Sequence, residues 1–495
     1  RCPEHLTTAE KIAEKSIVLL KNDGLLPIRK DLHSVAVIGP AADTVSYGDY
    51  TETRGRKGGV SVLDGIRAAV SPETEVLYER GCNFLGQALH PFDPSMLRDE
   101  NGESGLTGRY YNGPVPQGEP VQVRTDRTVN FNWIFALPHP ALDAKCFSVA
   151  WTGSVVMPRT MDGCIGLSTQ DSMRLYVDDK LLIDGWGKDK SADQALDFHF
   201  EAGRTYKIRI EFVNDRRGAR VIFGYSAGRE NFPAAVEAAR KADVAILCMG
   251  DNEETSGENF DRTDLNLPGR QLELVQAVYA TGTPVVLVLQ SGRPVTANWE
   301  NDHLPAILEA WFPGEQGGTA IAKTLFGDAA PGGRLPITFP RSVGQIPCHY
   351  SRRPGGGKRY VEMDWLPLYP FGYGLTYTTF AYSDMTLSRS VIGPQDTVTV
   401  SVTVTNTGKY TGDAVPQLYV RDMFSSVVKP ERQLAAFRRL TLAPGESRRV
   451  ELTIGPKQLR TLGPDYVWRV EPGKFELQLG DNAENILLRA DLTVE

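Results

Sequence analysis

Two kinds of hydrophobic pattern alternate along the chain. Near the start, Thr7 and Glu10 stand at capping-box spacing ahead of Ile12, Ile17 and Leu20, which predicts a helix running out at Asn22-Asp23-Gly24. A short apolar run at 35–38, closed by Gly39-Pro40, predicts a buried strand. Residues 62–70 read as helix and 75–79 as strand. Strand, helix, strand in this order is the grammar of a parallel sheet covered by helices.

Beyond Cys82 the pattern changes. Between 105 and 226 it is aromatic and β-branched, with Gly- and Asp-rich turns, as in FSVAWTG, MRLYVDD, KLLIDGW and YKIRIEFV. Alternation at that spacing predicts an antiparallel sandwich or barrel. After Phe232 the first grammar returns: helix 234–241, strand 244–249, helix 271–280, strands 285–289 and 306–309, helix 319–325. The economical organisation is one α/β domain over 1–84 and 229–345, interrupted by an inserted β-sandwich at 100–228, since surface loops tolerate such insertions. A Gly/Pro-rich linker follows at 346–381; its glycines 355–357 read as slack. From 382 to 495, TVTVSVTVT alternates with period two and stops at Asn406-Thr407-Gly408. The runs PQLYV, RRVELTI, KFELQL and ILLRADLTV then complete a small sandwich of immunoglobulin or fibronectin type III kind. The fold class expected is multidomain α/β plus all-β.

Composition narrows the function. With 495 residues, 41% hydrophobic and 23% charged, the chain has enough apolar content for several cores. No apolar run approaches the ~18 residues of a membrane-spanning helix, and 54 basic against 61 acidic residues leave a net charge of -7. Neither a membrane nor nucleic acid is therefore an expected partner. Six cysteines without a C-x-x-C pair and seven ungrouped histidines predict neither a disulfide framework nor a metal; Cys248, inside VAILCMG, reads as a small buried hydrophobe. The chain opens Arg1-Cys2-Pro3 without Met, which suggests processing or a longer parent.

Several strings resemble a known family. AEKSIVLLKNDGLLPI followed by VAVIGPAAD, then SGENFDRTDLNLPGRQLELVQAV and AWFPGEQGGTAIAKTLFGDAAPGGRLPITFP, resemble the second domain of glycoside hydrolase family 3, the β-glucosidase family. PLYPFGYGLTYTTF, PQLYVRD and LAAFRRLTLAPGES resemble its linker and fibronectin-like domain. GLTGRYYNG, FNW at 131–133 and STQDSMRLYVDDKLLIDGW resemble the protective-antigen-like sugar-binding module of some members. The family carries a (β/α)8 barrel ahead of this region, which supplies an Asp nucleophile and most sugar contacts. Eight βα units and the barrel's Ser-Asp-Trp string are absent here, so the expectation is the portion that follows the barrel, inactive alone.

The chemistry implied needs carboxylates. Retaining glycoside hydrolysis uses two carboxyl groups about 5–5.5 Å apart, one nucleophilic and one acid/base. Open α/β sheets place functional loops at the carboxyl ends of parallel strands, and strand 244–249 leads into GDNEETSGENFDR. On spacing alone such an acidic cluster is a solvated turn. The family motif aligns Glu258 with the acid/base, with Asn259 where Gly is common. Asp261 and Arg262 are expected to pair and brace the loop. Asp49, Glu254 and Phe260 are the expected substrate contacts, with Glu253 a further loop candidate, although the 48–52 loop also reads simply as exposed. In the insert, Asp171, Asp178, Asp179, Asp184 and Trp186 suit either sugar binding or, more simply, turns and core; the module can also restrict substrate length by walling off outer subsites. The basic stretch 216–220 reads as a solvated turn, and GPAAD lacks the G-x-G-x-x-G of a dinucleotide site.

The function expected is therefore the C-terminal part of a retaining β-glucosidase acting on terminal non-reducing β-D-glucosyl residues. Its substrate is a β-linked oligosaccharide or aryl glucoside, and it needs no cofactor. The rival is a non-catalytic carbohydrate-binding or scaffolding protein that retains the accessory domains. A secreted or periplasmic location suits polysaccharide chemistry.

Overall fold

Strands Ser34–Ile38 (β2), Glu75–Glu79 (β3), Val244–Gly250 (β4), Val285–Gln290 (β5) and Ala306–Glu309 (β6) lie parallel, and Val18–Asn22 (β1) closes the edge antiparallel to β6. The order across this sheet is β1-β6-β5-β4-β2-β3. The computed structural model describes residues 2–51, 58–85, 89–133, 137–169, 171–187, 194–214, 220–227, 232–253, 255–355 and 359–495. Glu52, Glu254, residues 216–219, Gly356 and Gly357 thus lie outside the described residues. The chain divides into two compact units, one joining the residues up to Leu85 with Phe232–Glu495, the other Gly86–Asn231.

In the first unit, β4 and β5 are buried along their whole length because successive side chains serve opposite cores. Ile246, Cys248, Val286 and Val288 pack with Ile66 of Val62–Ala69 (α2) and Ile321 and Leu325 of Gly317–Leu325 (α6). Ala245, Leu247, Leu287 and Leu289 pack with Ala235 of Phe232–Lys241 (α3) and Leu274 and Val278 of Gln271–Tyr279 (α4). Cys248 is fully buried, and that burial pushes its thiol pKa up.

The opening helix is the main correction. It spans Pro3–Ser16 (α1), with Pro at its first turn, and the Thr7 hydroxyl donates back to the Pro3 carbonyl at 3.0 Å instead of capping. Ile12 is 65% exposed, whereas residues 17–20 are buried and 18–22 form β1. A four-residue apolar run fits either a helix face or a strand; pairing with β6 decides for the strand. Sequence reasoning also passed over the short helix Asn298–His303 (α5).

The linker is strapped to this edge: Leu375 N–H donates to Leu19 O at 2.8 Å and Tyr373 Oη to Leu20 O at 3.1 Å. Beyond it, Phe380–Leu387, Val398–Asn406 and Ser447–Ile454 face a five-stranded sheet built on Gly473–Gly480. Val398, Val400, Val402 and Val404 all turn into the core, as strict alternation requires. A cavity of about 360 Å³ at the linker, beside Tyr350, Trp365 and Glu484, shares no residue with the site described below.

The second unit is two antiparallel sheets around an aromatic core of Phe147, Trp151, Phe212 and Phe223. Its pairing already includes His90–Pro91, ahead of residue 100. Buried Asp126 accepts from Tyr110 Oη at 2.5 Å, Trp151 Nε1 at 2.7 Å and Arg124 Nε at 2.7 Å, which ties core to rim. Asp178 and Asp179 take left-handed conformations in the turn before Lys180–Asp184, and Asp178 Oδ1 accepts from Lys207 N–H. Trp186, half-buried, carries the Arg174 guanidinium over its ring at 4.9 Å.

Helices α2 and α6 touch through glycine. A Cβ on Gly318 would lie 1.9 Å from Ser61 O, and one on Gly65 2.1 Å from Gly318 O. Gly318→Ala should therefore lower stability by about 1–3 kcal/mol. Gly344→Ala, with only Ser342 Oγ within reach at 3.5 Å, should stay within about 0.5 kcal/mol. Urea unfolding of both variants checks the contrast; equal midpoints would overturn it.

Candidate active site

A parallel sheet delivers its loops at the carboxyl ends of its strands, and here the segments after β2, β4, β5 and β6 converge. β4 leaves the sheet through Gly250, whose φ of 139° and a virtual Cβ 1.9 Å from Gln290 O admit only glycine. Buried Gln271 holds that exit, accepting from Gly250 N–H at 2.8 Å and donating to Gly250 O at 2.9 Å.

Asp251 follows, 2% exposed. Its Oδ1 accepts from Thr255 Oγ1 at 3.0 Å and Arg262 Nη1 at 3.3 Å, and its Oδ2 lies 3.8 Å from Arg293 Nε. Burial pushes this carboxyl above the ordinary carboxylate range, against the pull of Thr255 and both guanidiniums. At the end of β6, Glu309 is fully buried: one oxygen accepts from Trp311 N–H at 2.8 Å, and the other lies 3.1 Å from Ser291 Oγ. Desolvation pushes its carboxyl up to about 8, with the charge of Asp251 adding in the same direction.

The loop rising from this base carries Glu258 to the surface. Glu258 is exposed, and its backbone N–H donates to Asp49 Oδ2 at 3.2 Å, so two expected site residues from different strand ends meet. Gly257 is needed beneath them: a Cβ there would lie 2.7 Å from Asp49 Oδ2. Asn259, at φ 64°, takes a left-handed conformation, which glycine adopts freely and Asn tolerates. Phe260 is half-buried and lines a surface cleft of about 740 Å³ with Asp261, Arg262 and Leu267.

The expected Asp261–Arg262 pair is not formed. Arg262 donates instead to Asp251, to Asp264 Oδ1 at 3.2 Å and to Asn266 O at 2.8 Å, while Asp261 is exposed. Residues adjacent in an extended loop point apart, so the guanidinium reaches back to the buried carboxylate. Glu254 lies outside the described residues; Glu253 is half-buried on the same loop. No group of three or more His, Cys, Asp or Glu among the described residues is placed to hold a metal ion. Sequence reasoning missed Arg293, Ser291 and Glu309. The signal was available: SGRP after 285–290 and EAW after 306–308 occupy the same strand-end positions as the loop that was singled out.

An α/β domain with a carboxylate-bearing loop at the carboxyl edge of its parallel sheet, followed in the chain by a β-sandwich, is the class this architecture defines. The chain belongs to glycosyl hydrolase family 3, whose C-terminal domain model matches residues 17–377; a fibronectin type III-like domain model matches 414–483. It is similar to a β-glucosidase of Rhizobium radiobacter, 34% identical over 528 residues, 99% of this chain and 63% of the relative. It is also similar to a β-xylosidase of Formosa agariphila, 45% identical over 302 residues, 59% of this chain and 42% of the relative. The structure of a β-glucosidase from Kluyveromyces marxianus in complex with glucose superposes with a TM-score of 0.73 at 28% identity, covering 100% of this chain and 63% of that one. The chain thus spans less than two thirds of the length of each of these proteins.

Glu309 gives the base of the site a pH signature. A carboxyl whose folded pKa exceeds its unfolded value of about 4.3 stabilises the fold fully below that value. The contribution is lost as pH rises through about 8, at up to about 1.4 kcal/mol per pH unit. Glu309→Gln removes this dependence. The thermal midpoint of the wild type should fall relative to that of the variant between about pH 5 and pH 8. Parallel curves would mean that Glu309 is ionised in the fold.

Proposed function

We propose that this chain is the C-terminal part of a retaining β-glucosidase and that Glu258 is its acid/base. The observation carrying this is the placement of Glu258: exposed at the tip of a loop on the carboxyl edge of the sheet, its backbone held by Asp49 from a second strand end and its base by buried Asp251. A carboxyl so presented protonates a leaving glycosidic oxygen and later takes a proton from water, while a carboxylate about 5–5.5 Å away attacks the anomeric carbon. That nucleophile is assigned to a barrel domain outside the chain described, in keeping with the greater length of the relatives. The substrate is a β-linked oligosaccharide or aryl glucoside with a terminal non-reducing glucosyl residue. Asp49 and Phe260 flank the acid/base.

The test uses the polypeptide extended to the length of its relatives. Glu258→Ala should lower kcat/KM on an alkyl β-glucoside by about 10²–10⁴-fold, and far less on a dinitrophenyl β-glucoside, whose leaving group needs no proton. Azide should restore turnover as a β-glucosyl azide. Unchanged rates on the alkyl glucoside would remove Glu258 from the role.

A further inference from the structure

The loop bearing Glu258 has two feet, Thr255 and Phe260, and one side chain holds both. Arg293 arrives from the end of β5, and its Nη2 donates to Thr255 O at 3.2 Å and to Phe260 O at 3.4 Å. Those carbonyls bracket residues 256–259, so a single guanidinium nitrogen closes the arch that Glu258 crowns. Its charge is matched from below by Asp251 Oδ2 at 3.8 Å from Nε. Its own backbone is fixed by Ser291 Oγ, which donates to Arg293 O at 2.8 Å. Close packing leaves the arch little room to drift: a Cβ on Gly292 would lie 2.7 Å from Ser256 Oγ and 2.9 Å from the Phe312 ring.

We propose that Arg293 is a positioning residue for the acid/base, fixing the 255–260 arch at both feet so that the Glu258 carboxyl meets the leaving-group oxygen in register. This rests on the assignment of Glu258 above. Planar guanidinium geometry matters here, because the two hydrogens of one Nη2 group, fixed in the guanidinium plane, reach both carbonyls while the Nε side faces the carboxylate. Without it the arch keeps the Asp49 contact and the Thr255–Asp251 bond, so the fold survives but the tip moves. A displacement near 1 Å at a reacting group costs about 10²-fold in rate.

In the full-length enzyme, Arg293→Ala should lose about 10²-fold in kcat/KM on an alkyl β-glucoside, with a much smaller loss on the dinitrophenyl glucoside. Free guanidinium at sub-denaturing concentration should recover part of the loss. The double variant Glu258→Ala/Arg293→Ala should be no slower than Glu258→Ala alone, since the arginine acts only through the glutamate. Arg293→Lys, which keeps the charge but not the fork, should show an intermediate loss with the same leaving-group dependence, and serves if the alanine variant fails to fold. Equal losses on both substrates, additive losses in the double variant, or no loss at all would each overturn the proposal. If Glu258→Ala itself shows no leaving-group dependence, the acid/base assignment fails first, and the two failures are told apart.

Discussion

Burying both faces of a parallel sheet leaves it one edge on which to do chemistry, and this domain is organised by that constraint. Strands β4 and β5 carry no exposed residue, because alternate side chains feed two separate helical cores. Polar groups are excluded from either face, so they collect where the strands end. Strands β2, β4, β5 and β6 run parallel, and their carboxyl ends therefore share an edge. Asp49, Asp251, Arg293 and Glu309 come from four different strand ends and still belong to one cluster. The glycine contact between α2 and α6 serves the same end, since helices that approach this closely cover the sheet without gaps.

Crowding carboxylates at a buried edge has an electrostatic cost, and the two deep ones meet it differently. Glu309 is met by the backbone N–H groups of Trp311 and Ser291 and by the Ser291 hydroxyl, and desolvation pushes its carboxyl up to about 8. Asp251 is matched by two guanidiniums, yet burial still outweighs their pull. A neutral Glu309 relieves Asp251 of a like charge, which leaves the arginines free to pair with one anion. Breaking a buried ion pair from one side costs about 3–5 kcal/mol. That is large beside the ~1 kcal/mol of an ordinary loop hydrogen bond, so the buried pairing at the base is the strongest of the loop's fastenings.

How much of this was legible in the chain depended on whether the signal was local. The strands at 35–38, 75–79, 244–250 and 285–290, and the helices at 62–69, 232–241 and 317–325, are written in short-range periodicity, and they fold where periodicity puts them. Ile17 to Leu20 were misassigned because a brief apolar run carries no period of its own; its partner, β6, lies almost three hundred residues away. The same distinction runs through the site. Glu258 was found through a contiguous motif. Arg293 and Glu309 were not, because each acts across strand ends and neither stands in that motif. Arg262 was found but given the wrong partner: adjacency suggested Asp261, and burial selected Asp251. Asn259 is the instructive intermediate, a departure from the motif in sequence that takes a left-handed conformation at φ 64°, which glycine also adopts readily.

Fastening the loop at three strand ends follows from what the proposed chemistry demands. If acid/base and nucleophile stand on separate domains, their 5–5.5 Å spacing is no stronger than the weaker of the two mountings. Each residue left loose in the free loop would charge roughly 1–2 kcal/mol of ordering entropy to the transition state. An arch of six residues, 255–260, left wholly loose would cost about 6–12 kcal/mol in this way, more than the whole benefit of general acid catalysis, about 3–5 kcal/mol. Holding the arch at Thr255, Glu258 and Phe260 before any substrate arrives transfers that cost to folding, where the cores above and below the sheet offset it. The site is thus as rigid as the sheet edge beneath it, and the substitutions that matter most to it include residues that never touch a sugar.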